Sequence, residues 1–177
     1  MTVNFDDPGT YHLYYGDGTG HPGTILTFFP WPHAPKGRHG VGQVTHTAFA
    51  IPTAAIDFWK DRLTQRGVSV QGPYQRFDES FLLFRDPDGM MIELVSTAEL
   101  DGARAHRDDA IPTDYAIHGF HTATFAEHDH QQTHTMLTEA LGTQIDPRTR
   151  GSVPIFSGRW RGRCIDRLAQ GHRRLRR

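Results

Sequence analysis

The sequence predicts an α+β chain built from β-α-β-β-β modules, and three observations predict it. His46-Thr47-Ala48 returns 75 residues later as His121-Thr122-Ala123, and Gly67 returns at the same offset as Gly142. Each copy reads as a strand, then a helix, then a glycine where the helix closes. The first copy continues into two β-rich runs around Asp86-Pro87-Asp88-Gly89. Proline at the second and glycine at the fourth position of that tetrapeptide suit a tight turn, so the two runs form a hairpin.

Ahead of the repeat, Val3-Asn4-Phe5, Tyr11 to Tyr15 and Thr24 to Phe29 read as three strands, with turn-rich stretches over 16–23 and 30–42. Residues 1–35 are therefore the rear part of a first module, without a leading strand or helix. Residues 43–98 make a complete module. Its opening strand, Gln43 to Ile51, is bounded by Pro52, and Thr53 is the expected helix N-cap. Ile56, Trp59 and Leu63 follow at helical spacing, and Gly67 ends the helix. Val68 to Val70 starts a short strand; Ser80 to Arg85 and Met90 to Ser96 make the hairpin. Residues 99–116 are polar and charge-rich and read as a linker. Ile117 to Phe125, a helix over 129–141 and Gly142 then start a third module, spanning 117–147.

Composition narrows the function classes. With 37% apolar and 22% charged residues the chain has the material for an ordinary core, and no apolar run approaches the roughly 20 residues of a membrane span. The N-terminal residues lack a basic stretch followed by an apolar one, so no secretory signal is expected and the expected location is the cytoplasm. A single cysteine, Cys164, rules out an internal disulfide and fits a reducing compartment. The net charge of −1 hides an asymmetry: residues 148–177 hold 10 arginines against one acid, Asp166. That tail has no basic amphipathic period and little aromatic interleaving. It is expected to be a disordered extension, with neither nucleic acid nor membrane as partner.

The chemistry-bearing candidates are His46, Glu93 and His121. Glu93 stands alone in the apolar run Met90-Met91-Ile92-Glu93-Leu94-Val95. A carboxylate in such a strand faces water or needs a partner for its burial, and a metal cation is the strongest partner. Strand parity puts His46 with Val44 and Ala48, and Glu93 with Met91 and Val95. If Phe49, Ile92 and Leu94 pack on the helix, His46 and Glu93 project from the other face. Two imidazoles and one carboxylate are the facial triad of non-haem Fe(II) oxygenases.

Successive modules with a histidine on a first strand and a glutamate on a fourth resemble the vicinal oxygen chelate superfamily, which includes glyoxalase I, bleomycin-resistance proteins and extradiol dioxygenases. The stretches from Val3 to Asp17 and from Pro22 to Trp31 are similar to the ring-cleaving dioxygenase branch, the hydroquinone dioxygenases and MhqO-like proteins. The resemblance covers about residues 1–147. It implies a curved mixed sheet forming a cup, here incomplete at both ends because the branch has four modules. It also implies iron held by a histidine of module one with a histidine and a glutamate of module four. The pseudo-symmetric set in this chain is His46, Glu93 and His121.

The activity so implied is metal-dependent, extradiol-type cleavage of a catechol- or hydroquinone-like aromatic with O₂. Fe(II) is the expected metal, with Mn(II) or Zn(II) as alternatives. No acid–base residue is assigned. Two other readings stand beside it: a non-catalytic module of the glyoxalase/bleomycin-resistance type, able to work as a homodimer on a planar ligand, and an inactive truncated fragment.

Overall fold

The structure, a computed structural model, describes residues 1–21, 24–38, 40–98, 100, 110–145, 155–158 and 164–170. Strands β1 (Thr2–Val3), β2 (Tyr11–Tyr15) and β3 (Leu26–Phe28) form a small antiparallel sheet in that order. The second sheet begins with β4 (Gln43–Pro52), a long run of alternating residues rich in β-branched and small side chains. Pro52 ends it. A 3₁₀ turn over Thr53–Ala55 leads into helix α1 (Ile56–Gln65), whose N-cap is Ala55 with no side-chain cap bond. Thr53 therefore opens the 3₁₀ turn and does not cap the helix.

Three strands complete the module: β5 (Gln71–Arg76), β6 (Glu79–Arg85) and β7 (Met91–Thr97). The expected short strand from Val68 thus lies further on, and Val70 packs on the core instead. β5 starts with an irregularity between Gln71 and Tyr74. Gly72 sits there at φ +103°, where a Cβ would approach the Phe81 carbonyl oxygen to 2.8 Å, so only glycine fits. β6 and β7 pair antiparallel around the Asp86 to Gly89 turn, as expected.

The third module opens with β8 (Phe120–Glu127), followed by α2 (Gln131–Thr135), which runs on as a π-helical turn over Met136–Ala140. Its chain continues as β9 (Gln144–Ile145), β10 (Ile155–Gly158) and β11 (Cys164–Gln170). Sequence reading expected no regular structure after residue 147. The backbone of the arginine-rich segment nonetheless supplies two strands, because β8 offers β11 an edge with free peptide groups. The rest of that segment lies outside the described residues.

Together these strands make one eight-stranded sheet, ordered β5-β6-β7-β4-β8-β11-β10-β9. β4 is parallel to β7 and β8 is parallel to β11, while β4 and β8 run antiparallel at the centre. The two modules are thus related by an approximate two-fold axis between β4 and β8. Register bears this out: Ala48 lies opposite Glu93, and Ala123, 75 residues on, lies opposite Asp166.

Helix α1 covers one face of the second module. Trp59, Ile51, Ala55, Leu82 and Leu94 form its core, joined by Phe49 and Phe84. Residues 110–116, read from sequence as the end of a linker, pack here too. Trp59 Nε1 donates to the Tyr115 carbonyl at 2.7 Å, and Phe58 stacks on Tyr115 at 4.5 Å. Residues 101–109 of that segment lie outside the described residues. Among the described residues no helix is long and apolar enough to cross a membrane.

Leu82 is fully buried beneath α1. Leu82→Ala is expected to destabilise the fold by about 2–5 kcal/mol, by lost burial plus the cavity left behind, as read by urea unfolding.

Candidate functional site

Pairing fixes where the three candidate ligands stand. His46 lies opposite Met91, and Ala48 opposite Glu93, so His46 and Glu93 are diagonal neighbours on one face of the sheet. Leu94 and Phe49 point the other way into the α1 core, as strand parity predicts. His121 arrives differently. The β4–β8 register shifts between Ala48↔Thr122 and Phe49↔Phe120, which leaves His121 as the extra residue of a bulge. Its ring reaches across to β6, where Nε2 lies 3.1 Å from Glu79 Oε2.

The structure does not assemble the three into a ligand set. Both oxygens of the Glu93 carboxylate accept hydrogen bonds from Arg76, at 2.7 and 3.3 Å, and both side chains are nearly buried. The Arg76 guanidinium also lies 4.4 Å from the centre of the Phe81 ring, a cation–π contact. A bidentate guanidinium satisfies a buried carboxylate in geometry and in charge. His46 donates from Nδ1 to the Thr45 hydroxyl at 3.0 Å, and that hydroxyl donates to the Thr124 carbonyl at 3.2 Å. Among the described residues no group of three or more His, Cys, Asp or Glu side chains is arranged to hold a metal ion. The donor set therefore does not fit a metal: the buried carboxylate already has its cation.

Arg76 and Glu79 were missed at the level of sequence, although one signal points to them. They close the hairpin over Phe77-Asp78, lying opposite each other across β5 and β6. Alternation along β6 then puts Glu79 on the face of Phe81 and Leu83, which is also the face of Glu93. Phe77 adopts φ +56°, a left-handed conformation uncommon for a bulky residue, at the tip of this hairpin.

A second concavity lies on the other side. A cavity of about 420 Å³ separates the small sheet from the second module, lined by Leu26, Phe28, Phe49, Ile92 and Ile117, with Asp17 among its polar residues. The backbone N–H and ring of His21 hold the Asp17 carboxyl well below the usual carboxylate range. None of His46, Glu93 and His121 lines this cavity.

The small sheet repeats the β6–β7 register. Leu13↔Phe28 and Tyr15↔Leu26 correspond to Leu82↔Leu94 and Phe84↔Ile92. Tyr14↔Thr27 then corresponds to Leu83↔Glu93, so Thr27 stands where the second module has its glutamate.

Comparisons with known proteins agree with this fold. Residues 3–94 match the family model described as "Glyoxalase/Bleomycin resistance protein/Dioxygenase superfamily". The chain is 42% identical over 147 residues to "Putative ring-cleaving dioxygenase MhqO" of Bacillus subtilis (strain 168), covering 81% of this chain and 46% of that protein. It is 34% identical over 117 residues to the "Chlorohydroquinone/hydroquinone 1,2-dioxygenase" of Sphingobium indicum, covering 64% of this chain and 36% of that protein. Among solved structures, a "putative dioxygenase" from Bacillus subtilis superimposes with a TM-score of 0.84 at 37% identity, over 94% of this chain and 53% of the other. A glyoxalase I variant from Zea mays gives a TM-score of 0.67 at 14% identity, over 98% of this chain and 60% of the other, a likeness of fold alone. The chain spans about half the length of the curated relatives it matches.

Breaking the buried ion pair leaves one charge without its partner. Glu93→Leu or Arg76→Met alone is expected to destabilise by about 3–5 kcal/mol, whereas the double variant loses much less. A denaturant double-mutant cycle measures this, and additive losses would refute the pairing.

Proposed function

Because the chain belongs to the Glyoxalase/Bleomycin resistance protein/Dioxygenase superfamily, we propose that it serves a metal-dependent ring-cleaving dioxygenase of the extradiol type. The substrates in this reading are O₂ and a catechol- or hydroquinone-like aromatic. One observation carries it: 42% identity over 147 residues to a protein named for ring cleavage. The name of a second relative, a hydroquinone 1,2-dioxygenase, supports the substrate class.

In this reading Glu93 is half of a buried ion pair, with His46 on the same sheet face and His121 bonded to Glu79 beside it. What these residues do is mechanical. Arg76 neutralises Glu93 inside the sheet face, and the contact between Glu79 and His121 ties the second module to the third. A face held in this way keeps its shape.

A specific observation favours a second reading, a non-catalytic ligand-binding module. The one buried carboxylate of the second-module face is taken up by a guanidinium, which suits a module that binds without chemistry.

Oxygen consumption separates the two. The protein loaded anaerobically with Fe(II) and then given hydroquinone is expected to take up O₂ in proportion to the aromatic supplied. Saturable hydroquinone binding without O₂ uptake would replace the enzyme reading with the binding module. In the same assay Glu93→Gln is expected to leave bound iron unchanged, measured by metal analysis of the desalted protein. Iron lost in that variant would restore Glu93 as a ligand.

A further inference from the structure

The face of the small sheet that corresponds by register to the Glu93 face carries four rings in succession. Trp31 stacks on Phe29 at 5.2 Å with an 11° interplanar angle, Phe29 on His12 at 4.2 Å and 30°, and His12 meets Tyr14 at 4.1 Å and 31°. Trp31 and Tyr14, the two ends, are 53% and 46% exposed. The Tyr14 hydroxyl and His12 Nδ1 share a hydrogen bond of 2.7 Å. His12 Nε2 is buried and has no hydrogen-bond partner. A buried imidazole nitrogen without a partner is a cost that native structures rarely carry without a use.

We propose that this ring ladder is a binding wall for a planar hydroxylated aromatic, with His12 as the residue that positions its hydroxyl group. The proposal rests on the dioxygenase reading for its choice of ligand. Flat π-faces at the exposed ends favour an aromatic ring over a saturated one of equal size. His12 Nε2 hydrogen-bonds the hydroxyl group of the ligand, which discriminates a hydroxylated ring from a bare one, because an unmatched polar atom would stay buried. Tyr14 acts through His12: its hydroxyl, bonded to Nδ1, holds the imidazole in its orientation. The neighbouring position Thr27, where the second module has Glu93, carries no charge to compete for that hydroxyl.

Binding of hydroquinone to the full chain, followed by calorimetry and by quenching of Trp31 fluorescence, tests the wall without requiring turnover. Saturable quenching is expected, lost in Trp31→Phe, while trans-1,4-cyclohexanediol leaves the signal unmoved. His12→Phe keeps the stack and removes the ring nitrogens; it is expected to weaken hydroquinone by roughly tenfold, and Tyr14→Phe by roughly threefold, each about the worth of one hydrogen bond or part of one. Circular dichroism confirms that each variant is folded. Unchanged affinity in folded His12→Phe, or equal binding of the saturated diol, would overturn the proposal. Those outcomes leave O₂ uptake untouched, whereas binding that depends on His12 without O₂ uptake sinks only the dioxygenase reading.

Discussion

The rest of the structure depends on β4 being bonded along both edges. It pairs in parallel with β7 and antiparallel with β8, so it is at once the first strand of one module and the seam to the next. A strand held on both sides cannot slip by one residue without turning its whole set of side chains over. Ile51 and Phe49 must therefore stay beneath α1, and His46 and Ala48 must stay on the opposite face. Everything on that face inherits its position from this constraint: Glu93 through its place opposite Ala48, and His121 through the bulge that the antiparallel seam imposes.

How much of this was legible in the sequence follows from the range of each signal. Parity along a strand is local, and it correctly separated His46 and Glu93 from Phe49 and Leu94. The Asp86 to Gly89 turn was legible because proline and glycine have fixed backbone preferences. Three features were not. Arg76 is 17 residues from Glu93, and nothing about that spacing announces a contact. The bulge at His121 is a property of pairing, so two identical tripeptides present their histidines differently. The strands within residues 148–177 form on the backbone of a segment whose composition argued against order. In that case an available sheet edge outweighed side-chain propensity.

The electrostatics of the second-module face follow from the same placement. A lone carboxylate inside an apolar strand requires a cation, and the sequence could not say which kind. A metal ion needs several donors brought to one point, and each must give up its other partners. A guanidinium needs only one side chain, satisfies both carboxylate oxygens, and tolerates an apolar neighbour such as Phe81 through its face. Arg76 meets those conditions at the cost of ordering a single long side chain. The module then gains a neutral, hydrogen-bonded pair.

The small sheet and the β6–β7 pair share one register and present two different faces: one built on an ion pair in the second module, one on a run of stacked rings in the first. A face whose central position is threonine instead of glutamate needs no internal cation, so nothing charged has to be anchored above it. Its rings are then free to meet a ligand, where in the second module Phe81 is already covered by Arg76. One fold has thus been used twice with opposite electrostatic solutions. The copy without the glutamate, with an unsatisfied imidazole nitrogen within its ring ladder, is the one equipped to recognise an aromatic molecule.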